Sequence, residues 1–178
     1  MKKSEIKSLI TSVIEPCNLC RVFFRYDLNY QYYFPLITSD KLFLGAKEDD
    51  FILDGFSIRR FCDVKKAEIK NDKYLEIIRS EGVLDNLQIP QINITDWHSA
   101  FMSLSKLDFN IIIEKESLID DECEFAIGKI EKVLKTKVIF KHFDADGVWQ
   151  DEFYEIPFSQ ITSVTFRSRY VDVFSKYV

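Results

Sequence analysis

The chain has 178 residues, 47% of them apolar, which is enough to fill one core or two small ones; with only five Gly and four Pro it does not read as a flexible linker or a disordered tail. Acidic residues outnumber basic ones by 29 to 24, and the net charge of −5 weighs against general phosphate-backbone binding, which needs Lys and Arg to release counterions. No apolar run approaches a membrane span, and Glu5, Lys7 and Ser8 break any apolar segment of a secretory leader, so a cytoplasmic protein with reduced thiols is expected.

Residues 3–14 place Ile6, Leu9, Ile10, Val13 and Ile14 at helical spacing, with Ser4 as a candidate cap and Glu15-Pro16 as a stop. Period-two runs follow at 20–27, 29–37, 41–47, 51–59, 63–69 and 74–79, and these predict strands. Turn formers separate most of them, at Thr38-Ser39-Asp40, Asp49-Asp50 and Asn71-Asp72. Residues 80–95 read as a connection. Thr95-Asp96 then offers a cap for a helix carrying Trp97, Phe101, Met102 and Leu104 on one face. Further strands are predicted at 109–114, 124–133, 136–143, 148–156, 161–166 and 170–177, and Asp144-Ala145-Asp146-Gly147 is the strongest hairpin signal.

The order of elements repeats. A shift of 97 positions aligns residues 28–69 with 125–166 without a gap, matching Phe43 to Phe140, Asp49 to Asp146, Phe56 to Phe153 and Phe61 to Phe158. One deletion then pairs Tyr74 with Tyr170. The expected fold is mainly β, of α+β type, with two similar small β-barrel-like halves, each preceded by a short helix. The expected domains are 1–82 and 83–178.

From Phe125 to Val178 the chain has long strands, the DADG hairpin, the sharp step YEIPFSQITSVTF and a final RYVDVFSKYV. In this it resembles the Sm-like and Src-homology-type small barrels, and it is similar to small bacterial proteins of uncharacterised activity. The resemblance implies a tandem barrel. No nucleotide-binding Sm signature is present, so no RNA-pocket residue carries over.

Several motifs admit a chemical reading. Cys17 and Cys20 form a CxxC, but the other thiols, Cys62 and Cys123, and the two histidines, His98 and His142, stand alone; buried cysteines at a helix-to-strand junction are expected, and no metal site. Asp144 and Asp146 begin like a calcium loop, yet Val148-Trp149 opens a strand where a ligating helix is needed, so a hairpin turn is expected. His142 shares a strand face with Asp144, but no nucleophile or anion site can be assigned with them, and an exposed strand histidine is expected. Basic residues beside aromatics, at Arg59-Arg60, Lys65-Lys66 and Arg167 with Arg169, suit polar strand faces better than an RNA platform.

The acidic residues cluster at turns: Glu48, Asp49 and Asp50; Asp120, Asp121 and Glu122; and Asp144, Asp146, Asp151 and Glu152. Loop tips on a rigid scaffold are where binding groups commonly sit. The expected function is that of a non-enzymatic protein without cofactor or metal: an immunity protein that binds and neutralises a basic, nuclease-type toxin through these loops. The alternative is an Sm-like RNA-binding regulator. No membrane partner is expected.

Overall fold

Most of the period-two runs form antiparallel strands in the computed structural model of the chain, which describes residues 1–119 and 122–178. The fold is mainly β, with ten strands and four α-helices among the described residues. Two compact units are present, Met1–Pro90 and Gln91–Val178.

In the first unit α1 (Lys3–Ser12) precedes β1 (Leu19–Phe24), β2 (Gln31–Thr38), β3 (Leu42–Asp49), β4 (Ile52–Arg60), β5 (Val64–Lys70) and α2 (Lys73–Ser80). The strands pair antiparallel in the order β5-β1-β2-β3-β4. Successive side chains of a strand point to opposite faces, so the central strands β1, β2 and β3 each serve two cores. Ile6 and Ile10 of α1, with Val13 at its C-terminal cap, pack on Val22, Phe24 and Phe43. On the opposite face Leu75 and Ile78 of α2 pack on Leu19, Phe34, Leu36 and Ala46. Cover on both sides explains why β2 reads as the nearly unbroken apolar run YYFPLI.

In the second unit α3 (Trp97–Leu104) precedes β6 (Ile111–Lys115), β7 (Glu124–Val133), β8 (Lys137–Phe143), β9 (Tyr154–Pro157), β10 (Ser163–Phe166) and α4 (Arg169–Phe174). The order is β10-β6-β7-β8-β9, again antiparallel. Asp96 caps α3 by accepting from the Ser99 amide, and Phe101 stacks on Phe158 with centroids 5.5 Å apart. Val171 and Phe174 of α4 pack against Ile112, Ile127 and Phe143.

Four expectations are corrected. Neither unit's strands close into a barrel: no pairing among the described residues joins β4 to β5 or β9 to β10. Residues 74–79 and 170–177, expected to supply closing strands, belong instead to α2 and α4 or the turn after it. Their caps decide this, because Asp72 accepts from the Tyr74 amide and Ser168 from the Val171 amide, satisfying donors that a new helix leaves open. The strand expected over 148–156 shrinks to β9, preceded by a single bridge between Phe143 and Trp149. At α1 the cap position falls on Lys2 rather than Ser4, and the Glu5 carboxylate accepts from the Lys2 amide at 2.9 Å.

Candidate functional site

The most developed surface feature lies in the second unit, where β8 runs on into its hairpin. The Asp144 amide donates to the Val148 carbonyl at 3.1 Å, and the Gln150 amide to the His142 carbonyl at 3.0 Å. Asp144 holds the turn closed: Oδ1 accepts from the amides of Asp146 and Val148, both at 3.0 Å, and Oδ2 accepts from Gln150 Nε2 at 2.8 Å. The expected hairpin therefore forms, with Asp144 as its lock. Asp144→Ala leaves the Asp146 and Val148 amides without their side-chain acceptor. It is expected to cost about 1–2 kcal/mol and to speed amide exchange at Val148; an unchanged exchange rate would show that the turn closes without this carboxylate.

Beside the hairpin the sheet opens. β7 and β8 pair only as far as Ile127 opposite Phe143, while Phe125 and Ala126 pair with β6 alone. The divergence leaves a cleft of about 450 Å³ bordered by Phe125, Ala126, His142, Tyr154, Tyr170 and Phe174. A smaller cavity of about 270 Å³ adjoins it through Phe125, Ala126 and Tyr154. Ring contacts run along the cleft wall and on to Trp149 behind it. Phe125 meets Tyr170 at 6.2 Å, Tyr170 meets Phe174 at 5.8 Å, Phe174 meets Phe143 at 5.2 Å, and Phe143 meets Trp149 at 5.0 Å.

His142 departs from its expected place at the surface. It is buried, and its ring lies nearly parallel to that of Tyr154, with centroids 3.6 Å apart. Burial pushes its pKa below the ordinary histidine value, and the Asp144 charge pulls it only partly back, so the imidazole is neutral at neutral pH. Its Nδ1 has no hydrogen-bond partner among the described residues. Both Asp144 oxygens are engaged by the turn, so the pair does not present the base and orienting acid of a proton-transfer site.

The acidic residues divide by environment. Asp144, Asp146, Asp151 and Glu152 are exposed around the hairpin. From Phe143 to Phe166 the chain carries five carboxylates and no Lys, Arg or His. In the first unit Asp49 and Asp50 are exposed at the β3–β4 turn, but Glu48 is buried. Its Oε1 accepts from the Tyr74 hydroxyl and the Phe51 amide, both at 2.7 Å, and burial raises its pKa. Glu48 is thus a core residue rather than a loop-tip contact, because side chains from the turn and from α2 fold over it. Glu122 is exposed and accepts from the Ser117 hydroxyl at 3.2 Å. Asp120 and Asp121 lie outside the described residues.

The other motifs resolve into packing. Cys20 lies in the core, where burial pushes its thiol up to about 12, far from a reactive thiolate. Among the described residues no group of three or more His, Cys, Asp or Glu side chains is placed to hold a metal ion. Arg59 is buried with its guanidinium 3.8 Å from the Phe24 ring, Arg60 pairs with Asp63, and Lys66 pairs with Glu68. Exposed Arg167 lies over Phe109 at 5.5 Å.

Sequence reasoning found the acidic hairpin but missed the aromatic wall beside it. A signal was available: Tyr170 and Phe174 are four residues apart, which puts them on one face once 169–174 is read as a helix. No family model, curated protein or solved structure matches the chain.

Proposed function

We propose that this chain is a non-enzymatic binding protein that captures a cationic protein through the hairpin face of its second unit, in the manner of an immunity protein neutralising a basic, nuclease-type toxin in the cytoplasm. One observation carries this reading: an exposed acidic hairpin stands beside exposed apolar side chains, among them Val148, Phe153 and Tyr154. Large apolar groups rimmed by polar ones mark interaction sites, because water is expelled from the centre while the rim fixes orientation. A base-free acidic stretch also steers a cationic partner, with on-rates reaching about 10⁸ M⁻¹s⁻¹ at low salt. The four free thiols suit a reducing compartment.

We further read the two units as copies of one module. The strand order fifth-first-second-third-fourth recurs in each, a helix precedes the first strand, and a capped helix follows the fifth. The aligned pair Tyr74 and Tyr170 falls in those capped helices.

The test is surface capture of purified cationic nuclease-toxin domains by the full chain, at low and high salt, with single-stranded RNA as a second analyte. The expected result is a complex whose on-rate falls as salt rises. The triple variant Asp146→Lys, Asp151→Lys, Glu152→Lys is expected to slow association by about 10- to 100-fold. No complex at low salt would sink the proposal. RNA binding that weakens in Arg167→Ala would replace it with the Sm-like regulator.

A further inference from the structure

The cleft beside the hairpin has a shape and polarity that select one kind of group. We propose that it is a pocket for an arginine side chain of the partner, an inference that rests on the binding reading above and names its anchor. Its volume, about 450 Å³, is at the small end of ligand sites and ample for one long side chain. Its walls are aromatic: Phe125, Tyr154, Tyr170 and Phe174. The ring faces carry negative potential and attract cations, most effectively where water is displaced.

Among the described residues, the cleft's own lining carries one charged side chain, that of Asp144, while the flanking positions carry both signs, Lys141 and Arg169 among them. Asp146 follows the lining residue Ala145, and Asp151 follows the lining residue Gln150. Lys115, which lines the adjoining cavity, is matched by an ion pair with Glu124. His142 is the cleft's one histidine, and because it is neutral it does not repel a cation. The Asp144 carboxylate in the lining and the aromatic ring faces favour a cation over an anion or a neutral apolar side chain.

Guanidinium fits better than ammonium. It is flat, more weakly hydrated, and stacks on rings, whereas an ammonium is a compact charge that holds its water. The phenolic oxygens of Tyr154 and Tyr170, both exposed at the cleft, can accept from its N–H groups.

The experiment titrates the full-length protein, isotope-labelled, with N-acetyl-arginine N-methylamide, following ring and backbone resonances of Phe125, His142, Tyr154 and Tyr170 by NMR. The lysine analogue and the citrulline analogue are run alongside; citrulline keeps the shape of arginine and removes its charge. Arginine is expected to give saturable shifts at these four residues with a Kd in the millimolar range, about fivefold or more tighter than citrulline. Phe125→Ala and Tyr170→Ala are each expected to weaken it about threefold to tenfold. Both side chains are more than half exposed, 52% and 55%, so their truncation does not empty the core. Equal binding of citrulline, tighter binding of lysine, or no saturable shift at these residues would overturn the proposal. If the probe fails while toxin capture still responds to the charge reversals, the pocket falls and the binding reading stands. If the probe binds while capture ignores those reversals, the reading falls and the pocket stands.

Discussion

Replacing Gly128 by alanine is expected to destabilise the second unit by about 3 kcal/mol, combining an overpacked contact with a backbone angle that alanine tolerates poorly. Gly128 has φ 157°, and a Cβ at this position would lie 2.0 Å from the Lys141 carbonyl oxygen and 2.8 Å from the His142 Cα. Both neighbours are backbone, so no side chain can swing away. Gly128 pairs with His142 across β7 and β8, close to where the two strands part to form the cleft. The clash would therefore push β8 outward at His142 and change the cleft as well as the stability. Trp97 and Trp149 are the chain's two tryptophans and both lie in the second unit, so their fluorescence reports on that unit during urea unfolding. A loss below about 1 kcal/mol would mean that the strands can separate here with little strain.

Glu48 is expected to give the second large effect, in the first unit. Glu48→Ala removes the acceptor of the Tyr74 hydroxyl and of the Phe51 amide and opens a cavity between β3 and α2, at a cost of about 3 kcal/mol. Phe51 stands at the turn with φ 69°, a region costly for a residue with a large side chain, and the bond to Glu48 helps hold it there. Glu48→Gln keeps Oε1 and separates packing from charge. The wild-type carboxyl has a raised pKa because burial disfavours its ionised form, and Oε2 has no hydrogen-bond partner among the described residues. A raised folded-state pKa makes the folded protein hold the proton more tightly than the unfolded chain. The resulting stabilisation is fully present below the ordinary value of 4.5 and is lost as pH rises through the folded-state value. Urea midpoints taken between pH 4 and pH 8 should therefore fall more steeply with rising pH for wild type than for Glu48→Gln. Parallel pH profiles would show that Glu48 ionises in the fold without penalty.

Much of the sheet was legible because period-two burial writes itself into the sequence. The alternation in β1 and β8, the caps of α3 and the DADG hairpin all rest on contacts within a few residues. The short terminal segments were not legible. KYLEII and RYVDVF are rich in Tyr, Val and Ile and alternate well enough to suggest strands. Six residues hold less than two helical turns, too few for period alone to separate the two structures. What made them helices was local capping by Asp72 and Ser168 and burial of Leu75, Ile78 and Val171 against sheets already formed.

The acidic residues carry the same lesson. Asp144 is a hairpin lock because its partners lie within six residues, which the sequence nearly states. Glu48 looks the same on paper, beside Asp49 and Asp50, yet its position follows from Tyr74, 26 residues away. His142 likewise became a buried, neutral ring through Tyr154, which the hairpin carries onto it.

The sequence by itself determined the β-rich class, the net acidity, the hairpin and the base-free stretch that follows it, since each depends on composition or on neighbours along the chain. Tertiary structure alone decided that the sheets stay open, that Glu48 and Arg59 leave the surface, and that an aromatic cleft opens where β7 and β8 diverge. The physical reason is that burial and charge environment are set by residues distant in sequence, and no short-range pattern records which of them will meet.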